Sequence, residues 1–175
     1  GYQSTGWAVS LAGDVNGDGS SDLIGGAPYA NGAAGGDEGA AFVWYGRDTG
    51  AAAGTATLWR FGPAPGYEVG RALAFVDANH DGIDDLLVGA PGGSVDHGIV
   101  HLHLGRAGQL PDPSPSQGYT SPGDGRREGT AVAGGDLNGD GYEDIVTGAP
   151  GAAVGGELRI YCGTAGGSPS ATSCA

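Results

Sequence analysis

Residues Asp14 to Asp22 read DVNGDGSSD, and the arrangement returns as DANHDGIDD from Asp77 to Asp85 and as DLNGDGYED from Asp136 to Asp144. The starts lie 63 and 59 residues apart, a period that denotes repeated supersecondary units. Each copy keeps aspartate at positions one, five and nine, asparagine at three and glycine at six. A hairpin turn ringed by solubilising acids would account for Asn16-Gly17 and Asn138-Gly139. The second copy has Asn79-His80 instead, yet holds every oxygen donor in place. What recurs is the donor set, and the turn dipeptide varies.

Carboxylates and an amide oxygen at this spacing suit calcium, a hard cation that takes six to eight oxygens. The glycine at six permits a sharp bend that brings the backbone carbonyl of the seventh residue inward. Three calcium sites are therefore expected. The first would use Asp14, Asn16, Asp18, the Ser20 carbonyl and Asp22; the second Asp77, Asn79, Asp81, the Ile83 carbonyl and Asp85; the third Asp136, Asn138, Asp140, the Tyr142 carbonyl and Asp144. An EF-hand closes with a glutamate at position twelve between helices, whereas these loops close at position nine and run straight into DLIGG, DLLVG and DIVTG. The loop belongs in a β-hairpin. Magnesium, with its strict octahedral geometry, suits such a site less well.

Around each loop the sequence alternates like a strand. WAVSLA, RALAFV and TAVAGG precede it, and AFVWYG, IVHLHLG and ELRIYCG follow after a glycine-rich gap. A weaker fourth strand is expected near ATLWRF, SQGYT and ATSCA. With 39 glycines and 10 prolines, turn signals recur too often for long helices. The fold class is all-β: three four-stranded antiparallel meanders, each with a calcium-binding hairpin loop, of the kind that pack face to face as propeller blades. The chain reads as one repeat domain over 1–175 with units 1–62, 63–122 and 123–175.

These residues resemble the FG-GAP repeat, the blade of the integrin alpha-subunit β-propeller. The likeness lies in the DxNxDGxxD loops and in the Gly-Ala-Pro that closes each second strand, at Gly26-Ala27-Pro28, Gly89-Ala90-Pro91 and Gly148-Ala149-Pro150. The leading Phe-Gly is replaced by Gly6-Trp7, Gly70-Arg71 and Gly129-Thr130. The resemblance implies a calcium-stabilised propeller used for adhesion, often as an extracellular module. Propellers close with four to eight blades, so three units imply further blades from the same parent chain or from neighbouring chains, as a closed oligomer or an open filament.

The formal charge of -13, with 20 acids and no lysine, argues against nucleic acid and anionic membrane surfaces as partners. Three divalent ions would offset close to half of it. No apolar run of about 18 residues is present for membrane insertion. The chain starts at Gly1 and has no methionine, which reads as processed or as a portion of something longer. Cys162 and Cys174, separated by small residues, are expected to form a disulfide of about 3 kcal/mol, which places the chain in a secreted or extracellular surface setting.

For catalysis the sequence offers no lysine, GxSxG or HExxH, and the expectation is of no enzyme activity. His97, His101 and His103 alternate along one strand, which suits either a transition metal or, more simply, the wetter face of that strand. Tyr29, Tyr67, Tyr119, Arg126 and Arg127 lie where loops opposite the acidic ones would gather, and are candidates for stacking and hydrogen bonding to a protein or glycan ligand. The functional expectation is a calcium-binding propeller module for adhesion and assembly, with calcium structural. The alternatives are a lectin-like propeller and the propeller part of a polysaccharide-degrading enzyme.

Overall fold

The computed structural model describes residues 4–33, 35–46, 57–93, 97–120, 122–123, 125–153, 155–165 and 167–170. Twelve strands are found among them, and no helix. The first sheet holds β1 (Ala8–Gly13), β2 (Asp22–Ala27), β3 (Ala40–Trp44) and β4 (Thr57–Phe61). The second holds β5 (Ala72–Val76), β6 (Asp85–Ala90), β7 (Ile99–His103) and β8 (Gln117–Tyr119). The third holds β9 (Ala131–Gly135), β10 (Asp144–Ala149), β11 (Glu157–Thr164) and β12 (Gly167–Ser170). Strands follow one another in sequence order across each sheet, and all pairs are antiparallel. The leading strands β1, β5 and β9 lie side by side, so the sheets are arranged like neighbouring propeller blades.

The burial pattern follows from this stacking. All six residues of β6 are buried, because the middle sheet is covered on both faces. Leu86 and Val88 join Ile24, Ala41 and Val43 of the first sheet in one core layer. The intervening Leu87 points the other way, into a layer with Val100, Leu102, Ile145 and Tyr161. His101 and His103 are a correction to the sequence reading: both are buried. Their register opposite Val88 and Leu86 turns them toward the first sheet, so they do not line a wet face. The third sheet also departs from expectation. Thr164 pairs with Gly167, so the fourth strand is Gly167–Ser170 and not ATSCA, and the ATSCA stretch lies outside the described residues.

Between sheets, backbone meets backbone. Gly39 bridges Val69, and Gly98 bridges Glu128, both in parallel fashion. A Cβ on Gly26 would overlap the carbonyl oxygen of Gly70, and one on Gly89 would overlap that of Gly129. The glycine of the first two Gly-Ala-Pro segments is therefore where the next sheet's leading backbone comes to rest.

Candidate metal-binding loops

The three acidic loops join first to second strand in each sheet, and their geometry repeats almost bond for bond. Asp14 accepts the amides of Asp18 (3.1 Å) and Gly19 (2.7 Å), and Asp77 accepts those of Asp81 and Gly82 (both 3.0 Å). Asp136 accepts those of Asp140 (3.2 Å), Gly141 (2.9 Å) and Gly139 (2.7 Å). Asn16, Asn79 and Asn138 each accept the amide at position five and donate their own Nδ2 to the carboxylate there. The aspartates at five accept the amides of Ser20, Ile83 and Tyr142. The glycines at six, Gly19, Gly82 and Gly141, have φ of 85°, 81° and 89°, a left-handed bend that side chains disfavour.

Position nine differs from the rest. Asp22, Asp85 and Asp144 are fully buried, and each bridges two segments. One oxygen accepts the amide at position two (Val15, Ala78 or Leu137), and the other accepts a glycine amide at or just beyond the end of the third strand (Gly46, Gly105 or Gly163). Burial pushes the Asp85 carboxyl up to about 7 against the pull of its two amide donors. Asp22 is raised for the same reason, whereas the exposed Asp18 is lowered by the Ser20 amide and Asp136 by the Gly141 amide. The ninth aspartate is thus a clasp in its own right.

Among the described residues no group of three His, Cys, Asp or Glu side chains closes on a point as metal ligands do. The donor set nevertheless fits a hard cation. Among the described residues no arginine forms an ion pair with any of the nine aspartates at donor positions. Each carboxylate oxygen that accepts one amide retains a second lone pair.

Position eight was not singled out by the sequence reading, and the structure gives it a role. Asp84 accepts the amide of Asp14 at 2.7 Å, and Glu143 accepts that of Asp77 at 2.8 Å. Each acid belongs to the following sheet's loop, so it fastens one sheet to the next. The available signal was the acid pair Asp84-Asp85 and Glu143-Asp144, against Ser21-Asp22 in the first copy. Glu143→Ala is expected to cost about 1–3 kcal/mol, because the Asp77 amide loses a charged acceptor. A urea titration that matches wild type would remove this role.

The candidate contact residues are largely engaged within the protein. The Tyr29 hydroxyl accepts a hydrogen bond from Arg71 at 2.8 Å, and its ring meets Trp7 edge-on at 5.2 Å. Tyr67 packs against the first core layer. Tyr119 requires correction as a ligand-stacking residue, since it is buried with its ring 4.5 Å from that of Tyr161. Arg126 pairs with Glu157, and Arg127 pairs with Glu68 at 2.8 Å across two sheets. Buried Glu38 accepts the amides of Gly32 and Gly35 and shapes the loop before β3. Cys162 is buried on β11, and its expected partner Cys174 lies outside the described residues.

The FG-GAP repeat pattern matches residues 5–44, 69–109 and 129–161, one match on each sheet. The chain belongs to the FG-GAP repeat family. This FG-GAP chain is similar to the phosphatidylinositol-glycan-specific phospholipase D of Rattus norvegicus, 32% identical over 168 residues, or 90% of this chain and 20% of the relative. Integrin alpha-PS5 of Drosophila melanogaster is 35% identical over 161 residues, which cover 86% of this chain and 15% of the integrin. Integrin alpha-IIb of Mus musculus is 36% identical over 156 residues, with coverage of 85% and 15%. The chain spans a fifth or less of the length of these relatives. The expectation of no enzyme activity is corrected by the first of them. Its name is that of an enzyme, and the similarity runs through all three FG-GAP repeats of this chain.

Proposed function

We propose that the chain is a calcium-binding segment of an extracellular β-propeller that serves protein or surface adhesion and assembly, with calcium a structural ion. The observation that carries this reading is the threefold donor set: nine aspartates at donor positions in three tight loops, with no arginine ion pair to them among the described residues. Asp14, Asn16, Asp18, the Ser20 carbonyl and Asp22 would hold the first ion, and the equivalent residues the other two. A bound cation would supply positive charge between carboxylates that otherwise repel one another, and so stiffen the hairpin. A segment of this kind suits an adhesion receptor and a larger enzyme alike, since the similarity covers only a minor part of each relative. The three units, with boundaries near 62 and 122, and the Cys162–Cys174 disulfide belong to the same reading. An intact mass unchanged by alkylation without reductant would support the disulfide, and alkylation of both thiols would remove it.

The reading is tested by calorimetric titration of chelator-treated protein with calcium, together with melting curves. Three ions per chain and a higher Tm in calcium are expected, and Asp18→Ala should reduce the count by one. A Tm indifferent to calcium, with no heat of binding, would overturn it.

A further inference from the structure

We propose that the outer face of the third sheet is a built seat for a further blade of the same repeat type, one whose loop carries an acid at position eight. The inference rests on the propeller reading above and adds what the incoming blade must present. The two seams within the chain provide the template. By cross-strand register, Leu158 and Ile160 of β11 correspond to Ala41 and Val43 of β3 and to Val100 and Leu102 of β7. Those four are at most 2% exposed beneath the following sheet, whereas Leu158 is 76% and Ile160 42% exposed. The residue at loop position two shows the same contrast: Val15 is 0%, Ala78 4% and Leu137 61% exposed.

The backbone features of a seam are also in place. Gly148 stands where Gly26 and Gly89 receive the next sheet's carbonyl, and no such carbonyl lies near it among the described residues. Gly156 stands where Gly39 and Gly98 bridge the backbone that leads into the next sheet. A hollow lined by Thr130, Ala131, Gly148, Pro150 and Leu158 occupies this position.

The acid selects the occupant. Asp84 and Glu143 hold the amides of Asp14 and Asp77, and among the described residues no acid stands in that role beyond Asp136. A second copy of this chain would present its own first sheet, which carries Ser21 at position eight and offers no carboxylate. The occupant is therefore a distinct blade with aspartate or glutamate there.

Sedimentation velocity on the intact chain in physiological salt tests the proposal, with the chain itself as probe. Wild type is expected to sediment as a single 17.0 kDa chain. Ser21→Glu, at an exposed position, supplies the missing acid and should associate head to tail at least tenfold more tightly; Leu158→Arg in that background should abolish the association. Ser21→Asp serves as the second variant, and circular dichroism verifies the fold of each. Equal association of wild type and the acid variants would overturn the proposal in favour of a second copy, and no association of either folded acid variant would overturn the role of the acid. Calcium titration of the same samples reports separately on the propeller reading, so the two can fail independently.

Discussion

Gly89→Ala is expected to lower stability by about 3 kcal/mol or more, while Gly148→Ala changes it little or in the opposite direction. Both glycines precede the alanine of a Gly-Ala-Pro, and neither has a positive φ, so a turn conformation explains neither. They differ in what lies opposite. A methyl group at Gly89 would overlap the carbonyl oxygen of Gly129, and the Gly129 amide is itself bonded to the Gly148 carbonyl at 3.1 Å. That carbonyl cannot retreat without breaking the entry to the third sheet. At Gly148 the nearest atom is the Ala131 Cβ at 3.3 Å, a neighbour within its own sheet that needs to yield by only a few tenths of an ångström. Alanine in a strand is otherwise more favourable than glycine, because it restricts the unfolded chain. Urea midpoints of the two variants decide the matter, and equal losses would refute the docking role of Gly89.

The second large effect is expected at Asp85. Asp85→Ala should cost about 2–4 kcal/mol even in chelator, since it leaves the buried amides of Ala78 and Gly105 without their acceptor at about 1–3 kcal/mol each. Relief from burying a carboxyl that the surroundings push up to about 7 offsets part of this loss. Asp81→Ala makes the contrasting case. Its carboxylate is exposed, so in chelator the variant should melt close to wild type, while in calcium it should lose one site's share of the gain in Tm. Melting curves of both variants with and without calcium separate the two roles. If Asp85→Ala melted like wild type in chelator, the clasp would have no energetic weight.

The loops were legible in the sequence because their donors are side chains that recur at fixed offsets within one unit. The three-sheet architecture was legible for a related reason: alternating runs such as RALAFV and the glycine-bounded DLLVG after the loop report directly on strands. What escaped are the features that act between units. Asp84 and Glu143 look like surplus charge until the preceding sheet's amides are placed opposite them. Tyr119 reads as a surface aromatic in a short weak strand, and only the stacking of sheets sets Tyr161 against it. His101 and His103 misled for the same reason, since polarity suggested a wet face on a strand that the first sheet covers.

The seams consist of a carbonyl on a bare glycine, a main-chain bridge between Gly39 and Val69 or between Gly98 and Glu128, and one acid on an amide. Few of these parts depend on which particular side chain faces which. A gene that duplicates or loses a stretch encoding a blade with an acid at position eight therefore leaves seams that still match, whereas an extra copy of the first blade, with Ser21 there, would leave the preceding loop's amide without its acceptor. Repeat number in such a protein can change in whole steps, while a side chain on Gly26 or Gly89 would hold a seam apart.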